Sequence, residues 1–365
     1  MSISRLVVNQ LRNIDQMELY PSPQVNLIVG ANGSGKTSLL EAIYLLGRAR
    51  SFKTQKQRSF IQYGQEEAVI FGEIRPLENT SVINAGVKKS IDGGQAIKVS
   101  GTTLTSAAPL LELLPVQLIE PDTFTVLSGG PSIRRQFIDW GVFHVEHSFY
   151  PLWQQLNRSL KQRNNLLRRG KIDCSVLAVW DREFVEKAQA ISGLRQNYVE
   201  QLMPVFQDMM AKLSSDIGDV ELSFYQGWKS GVELATVLDE QHEIDCKRGF
   251  THSGPQRADL RVKHLRQMAG EVLSRGQQKL VICALKIAQG YLFSRETGRA
   301  CIYLLDDLAA ELDIEHRNRL CGLLATLNCQ LFVTSINQET FASNWKGMDV
   351  KVFHVEQGAL VESSA

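Results

Sequence analysis

Little in this sequence is extreme, and its shortages are the first guide. Net charge is almost absent: 40 Lys and Arg stand against 39 Asp and Glu, leaving +1 over 365 residues. Any contact with a polyanion must therefore come from a local cluster of cations, because the molecule as a whole supplies no attractive field. Long apolar runs are also missing. MSISRLVVNQLRN at the N-terminus lacks the apolar stretch of a secretory signal, and LVICALKIA (280–288) is far shorter than the roughly 20 residues that cross a bilayer. Cysteine is sparse and unpatterned. Cys174, Cys246, Cys283, Cys301, Cys321 and Cys329 include no C-x-x-C pair, and several lie in apolar runs, which favours buried free thiols over disulfides or zinc. A cytoplasmic protein is expected. There is no internal repeat, no low-complexity linker and no sustained heptad pattern.

What is present is ordinary in bulk, with 44% hydrophobic and 22% charged residues, and long enough for two domains. RLVVNQ (5–10), QMELY (16–20) and VNLIV (25–29) read as strands, and Leu39, Leu40, Ile43 and Leu46 then recur at helical spacing. AVIFGEI (68–74), TSVINAG (80–86) and AIKVSG (96–101) read as an antiparallel meander. From LSGGPSIRRQFIDW (127–140) to about residue 215 the pattern is helical, with Trp153, Leu156, Leu160 and Leu167 as an apolar stripe. Arg158, Lys161, Arg163, Arg168, Arg169 and Lys171 cluster beside it. A further helix over 280–293 precedes two buried strands, CIYLLDD (301–307) and LFVTSI (331–336), separated by a helical pattern over 316–327.

Three segments carry chemistry. Gly30-Ala31-Asn32-Gly33-Ser34-Gly35-Lys36-Thr37 fits G-x-x-x-x-G-K-[ST] in full, between a predicted strand and a predicted helix that also takes in Ser38. Glycines permit a tight loop whose backbone N–H groups surround phosphates, and the helix dipole adds to the attraction. Lys36 is placed to reach the β- and γ-phosphates of a nucleotide, and the Thr37 hydroxyl to ligate Mg²⁺. CIYLLDD ends a buried strand in two carboxylates, Asp306 for the metal and Asp307 for the attacking water. LSRGQQK (273–279) opens an apolar helix. Ser274 and Gln277 there read either as a capping box or as an anion site, and the two are compatible.

LSRGQ resembles the LSGGQ signature of ABC-type ATPases, and Glu311-Leu312-Asp313 resembles their D-loop. In that class the signature of one subunit closes over the nucleotide of another. Gly30 and Asp306 are 276 positions apart, a wider interval than transporter nucleotide domains usually have. The insert is also too short for the coiled-coil arm of SMC-type ATPases. GANGSGKTSLLEAIYLL, LSGGPSIRRQFIDW, THSGPQRADL, SRGQQK and LLDDLAAELD fall in the order found in the RecF family of bacterial recombination mediators, which the whole chain closely resembles. Gln256 and Ala258 depart from that family's GPHRDD-like element.

That resemblance implies an α/β ABC-type ATPase head of two lobes. Lobe I would span 1–125 and 300–365, with both Walker motifs and the antiparallel annex; a helical lobe II over 126–299 would carry the signature. It implies ATP and Mg²⁺ as cofactors, an ATP-dependent homodimer, binding to double-stranded DNA and gap junctions, and slow hydrolysis. Partnership with RecR and RecO in loading RecA is implied as well, with no membrane role. Residue by residue, Gly30 through Ser38 hold ATP, Thr37 and Asp306 hold Mg²⁺, and Lys36, Asp306 and Asp307 carry the chemistry. Ser274, Gly276 and Gln277 reach the partner's nucleotide, Arg12 and Asn13 lie in a loop near the nucleotide, and Gln117 is a candidate Q-loop ligand to the metal. Lys53, Lys56 and Arg58, or the 158–171 cluster, are candidate DNA contacts, while Arg134 and Arg135 read equally as structural. The alternatives are the nucleotide-binding subunit of an ABC transporter, against which Thr334 and Asp307 argue, and a P-loop kinase, which leaves LSRGQ without a role.

Overall fold

The computed structural model describes residues 1–76, 81–120, 125–168, 174–214, 216–307, 312–341 and 344–361. It divides into two compact units, one formed by Met1–Thr123, Lys212–Ser214 and Lys279–Ala365, the other by Phe124–Ala211 and Ser215–Gln278.

The chain begins in the first unit with β1 (Ser2–Leu11), β2 (Ile14–Leu19) and β3 (Val25–Val29). The helix α1 (Lys36–Arg48) follows, then β4 (Glu67–Arg75), β5 (Ile83–Ser90), β6 (Gln95–Val99) and β7 (Thr102–Leu104). Helix α2 (Ala108–Leu113) and β8 (Val116–Ile119) end this stretch. β4 alternates half-buried and buried residues along its length, as a strand with one face on a core must. It lies in an antiparallel sheet of order β2-β1-β4-β5-β6-β7. β3 is different: all five residues are buried, the mark of a central parallel strand.

The second unit holds α3 (Thr125–Ser128), α4 (Pro131–Val145), α5 (Phe149–Leu167) and most of α6 (Cys174–Leu213). It continues with β9 (Val220–Tyr225), α7 (Leu234–Glu240), α8 (His242–Arg248), β10 (Asp259–His264), β11 (Gln267–Met268) and α9 (Ala269–Val272). This unit is not purely helical, because β11, β10 and β9 form a three-stranded antiparallel sheet. Trp153, expected in the apolar stripe, is 39% exposed, whereas Leu156 and Leu167 are buried. Arg163 also departs from the expected surface cluster: it is buried, bonding Asp181 at 2.6 Å and Asp245 at 2.7 Å. Arg134 is structural in the same way, with a bidentate pair to Asp259 at 2.7 and 3.0 Å, and Arg135 donates to the Ala258 carbonyl. Arg169 and Lys171 lie outside the described residues.

Helix α10 (Arg275–Thr297) leads back to the first unit, followed by β12 (Ile302–Leu305), α11 (Ile314–Ala325), β13 (Gln330–Ser335), β14 (Val350–Glu356) and β15 (Ala359–Val361). The division falls at Gln278 and Lys279, not at the expected residue 300. The cause is close packing: Gly290 of α10 leaves no room for a Cβ beside the Tyr303 hydroxyl, which donates to the Lys286 carbonyl at 3.3 Å. The second sheet of this unit has the order β15-β14-β3-β13-β12-β8, parallel except at the β14–β15 hairpin. β3 and β12 thus flank β13 and end on the same edge, which places their following loops side by side.

Candidate nucleotide site

The glycine loop leaves β3 at Gly30, whose N–H donates to Ser335 at 3.2 Å. A Cβ there would lie 2.3 Å from the Val355 carbonyl and 2.6 Å from Ser34 Oγ, so only glycine fits. Gly33 and Gly35 have φ of 78° and 118°, conformations that side chains resist. Ala31, Asn32 and Gly33 form the exposed crest, whereas Ser34, Gly35 and Lys36 are buried. The Lys36 ammonium donates to the Gly30 and Ala31 carbonyls at 2.7 and 2.9 Å, arching over the loop. Helix α1 starts at Gly35 with no side chain capping its first turn. Its leading N–H groups therefore need an outside acceptor.

Two turns brace this loop from outside. Asn13 Nδ2 donates to the Ser34 carbonyl at 3.1 Å and Asn13 Oδ1 accepts from Ser38 Oγ at 2.9 Å. Gly358 N donates to that same Ser34 carbonyl at 2.7 Å. Arg12 faces elsewhere. Its guanidinium grips the buried Glu41 carboxylate of α1 at 2.8 and 2.9 Å and also donates to the Ser59 carbonyl, so it anchors α1 instead of reaching the loop.

The second half of the site hangs from β12. Asp306 Oδ1 accepts from Thr37 Oγ1 at 3.2 Å and from Thr334 Oγ1 at 2.9 Å. Thr334 is fully buried on β13, and its hydroxyl also accepts from Asp307 N at 2.9 Å. One hydroxyl thereby ties both carboxylate residues to the neighbouring strand. Asp307 is exposed with φ of 51°, turned out of the strand line. Burial pushes the Asp306 carboxyl up from its ordinary value. The Thr334 and Thr37 hydrogen bonds pull back, Asp307 adds to the rise, and the Lys53 charge lowers it. Lys53, expected as a DNA contact, thus acts on this carboxylate.

Gln117 does not join this group. It is buried mid-strand on β8 opposite Tyr303, three residues before Asp306. Its amide donates to Gln289 at 2.8 Å and its oxygen accepts from Lys286 at 3.3 Å. Burial lowers Lys286 to about 8, with the charge of Arg48 acting the same way.

In the second unit Ser274 Oγ accepts from Gln277 N at 3.3 Å, while Gln277 Oε1 accepts from Ser274 N at 3.0 Å, a reciprocal capping box. Gly276 leaves open space where a side chain would be, and Ser274, Arg275 and Gly276 are all exposed. Asp313 caps α11, accepting from His316 N at 3.0 Å; Glu311 lies outside the described residues.

The donor set suits a nucleotide with Mg²⁺. Thr37 and Asp306 converge on one point, Ser34 Oγ is buried without a partner, and an uncapped helix start faces the loop. Among the described residues no group of three or more His, Cys, Asp or Glu could cage a metal, and magnesium characteristically takes few protein ligands and completes its shell with water and phosphate. No helix among those residues is long and apolar enough to cross a membrane.

Comparison with known proteins agrees with this geometry. Residues 2–360 match the RecF/RecN/SMC N terminal domain family. The chain is 47% identical over 364 residues to the DNA replication and repair protein RecF of Pseudomonas putida strain W619, covering 100% of this chain and 99% of that one. Identity to the RecF of Pseudomonas aeruginosa strain UCBPP-PA14 is 46% over 365 residues, with 100% and 98% covered. Among solved structures, the recombination mediator protein RecF with ATP, in the RecFOR pathway, superposes with a TM-score of 0.85 at 26% identity, over 98% of this chain and 96% of that one. An Smc head bound to the C-terminal winged-helix domain of ScpA shares the fold alone, with a TM-score of 0.58 at 16% identity, covering 99% and 98%.

Proposed function

The chain belongs to the RecF family, and on that premise we propose that it is an ATP-dependent recombination mediator. ATP joins two copies into a clamp on double-stranded DNA at gaps. With RecR and RecO, the clamp promotes RecA loading, and slow hydrolysis releases it. The observation that carries this reading is the linkage of Thr37, Asp306, Thr334 and Asp307 beside an uncapped, glycine-built helix start.

In the mechanism, the loop from Gly30 to Gly35 and the N–H groups of Lys36, Thr37 and Ser38 bind the phosphates. Lys36 exchanges its two carbonyl acceptors for phosphate oxygens, a stronger charge-assisted interaction. Thr37 and Asp306 would hold Mg²⁺, which when bound neutralises charge on the β- and γ-phosphates. Asp307, fixed through its N–H by Thr334, orients the attacking water and accepts its proton. Asn13 holds the loop's shape. In the dimer, Ser274, Gly276 and Gln277 of one copy approach the nucleotide of the other. The first unit then corresponds to the ATPase lobe, and the second to the lobe that presents the signature.

Light scattering with ATP, with ADP, and with ATP plus a gapped duplex tests the clamp. Doubling of mass only with ATP, and co-elution with DNA, is the expected result; a monomer in all three conditions removes the central step. Ser274→Arg is expected to bind ATP and stay monomeric, and unchanged turnover in it would show that catalysis is not shared between copies.

A further inference from the structure

Helix α5 is chemically one-sided. From Phe149 to Arg168 the sequence contains no Asp or Glu, so no acid on the helix itself offsets its cations. Arg163 is consumed by its buried ion pairs. The other three cations, Arg158, Lys161 and Arg168, are exposed and have no ion-pair partner among the described residues. Steps of three and seven residues put them along one face, opposite the buried Leu156 and Leu167. The neighbouring α8 extends this field, since it ends in exposed Lys247 and Arg248 and its following Gly249 touches Arg168.

At the start of that helix stand two aromatic rings. Trp153 is 39% exposed and stacks on Tyr150, with planes 13° apart and centroids at 6.4 Å. Phe143 meets Tyr150 edge-on at 5.9 Å and fixes it from beneath. A tryptophan packed this way is exposed yet ordered, and it offers a ready π-face beside a row of cations.

We propose that Trp153 and Tyr150, with Arg158, Lys161 and Arg168, form a binding surface for single-stranded nucleic acid. The cations follow the phosphates while an unpaired base stacks on Trp153. Duplex DNA hides its base faces and would use the cations alone, so the aromatic pair marks the single strand as the occupant. Charge complementarity supports a polyanion here, and the stack supports one with exposed rings. This deepens the proposed DNA-binding role by giving the clamp a feature that distinguishes a gap's single strand from its duplex flank.

The full-length protein is titrated with fluorescent oligo(dT), with a blunt duplex of equal length, and with polyglutamate as competitor. Trp153→Ala is expected to weaken oligo(dT) binding by roughly fivefold or more, as loss of one base–aromatic stack does, while duplex affinity stays within about twofold for want of a stacked base. Trp153→Phe restores most of the loss and controls for folding. Lys161→Gln with Arg168→Gln weakens both ligands and flattens the salt dependence. An unchanged oligo(dT) affinity in Trp153→Ala overturns the proposal, as does an equal loss for both nucleic acids or displacement by polyglutamate at equal charge. ATP-driven mass doubling, measured on the same variants, reports the clamp separately. Its failure in the parent protein would fall on the mediator reading, and its persistence in a variant with unaltered oligo(dT) binding would fall on this surface alone.

Discussion

Two buried carboxylates, one in each unit, are held in opposite ways. Asp245 of the second unit is fully buried and fully answered: Arg163 meets one oxygen at 2.7 Å, and the other accepts from His252 Nδ1 at 2.7 Å and His252 N at 3.1 Å. Thr251 and Asn164 complete the ring around the same guanidinium. Asp306 of the first unit is nearly as buried, yet its hydrogen-bond donors are two neutral hydroxyls. The first arrangement is complete within the protein and acts as a structural joint. The second leaves negative charge in a desolvated place with no cation in contact among the described residues, which is the condition under which a divalent cation binds well. Burial alone does not mark a functional carboxylate; burial without a cation does.

Substitutions can break either side of this contrast. The largest effect is expected for Lys36→Met, which removes the loop's only cation. Nucleotide binding should be abolished in equilibrium titration, and normal ATP affinity would overturn the nucleotide-site assignment. Next comes Arg163→Met, which strands Asp245 without its cation. Denaturant unfolding should show a loss of about 3–5 kcal/mol, the usual consequence of breaking a buried pair; a loss under about 1 kcal/mol would mean that solvent reaches Asp245 after all. Thr334→Val keeps the shape and deletes the hydroxyl. Turnover is expected to fall about tenfold through roughly 1.4 kcal/mol of lost positioning, with Thr334→Ser restoring it. An equal rise in KM with kcat unchanged would show that Thr334 serves binding and not the orientation of Asp307.

The smallest effect has the opposite sign. Because burial raises the Asp306 pKa, the folded state holds that proton more tightly than the unfolded chain does. Its contribution to stability therefore declines as pH rises from the ordinary aspartate value through the raised one. Asp306→Asn should melt slightly higher than the parent protein near pH 7 without nucleotide, and the gain should vanish in acid. A lower melting temperature at neutral pH would mean that the charge is already compensated.

The legible parts of the site were those whose chemistry is local. Eight consecutive residues specify the phosphate loop because the ligand is bound by backbone, and backbone geometry is written in glycine spacing. The capping box of Ser274 and Gln277 is local for the same reason. In sequence Thr334 stands out only as the wrong residue for a transporter, since its bonds arise from the parallel register of β12 and β13, one step beyond the Leu305–Val333 pair. Arg163 reads as surface because it lies in a run of cations, while its partners come from residues 181 and 245. Gln117 carried the right residue type for a metal ligand, but α10 takes up its amide. Of the fold, the nucleotide-bearing strands and the first meander were visible as patterns. The β9–β10–β11 sheet is not legible, although VELSFY and DLRVKH both alternate, because β9 and β10 pair across a stretch that holds α7 and α8.

The position of β3 has a consequence for how the protein is made. This strand leaves the ribosome long before both of its parallel neighbours, β13 and β14, which come from residues 330–356. The carbonyl of Ser34 waits longer still for the N–H of Gly358. The phosphate loop is thus translated early and assembled late, after the entire second unit has had time to fold by itself. A nascent chain halted before Val350 contains every residue from Gly30 to Thr37, but β3 still lacks one of the two strands that flank it.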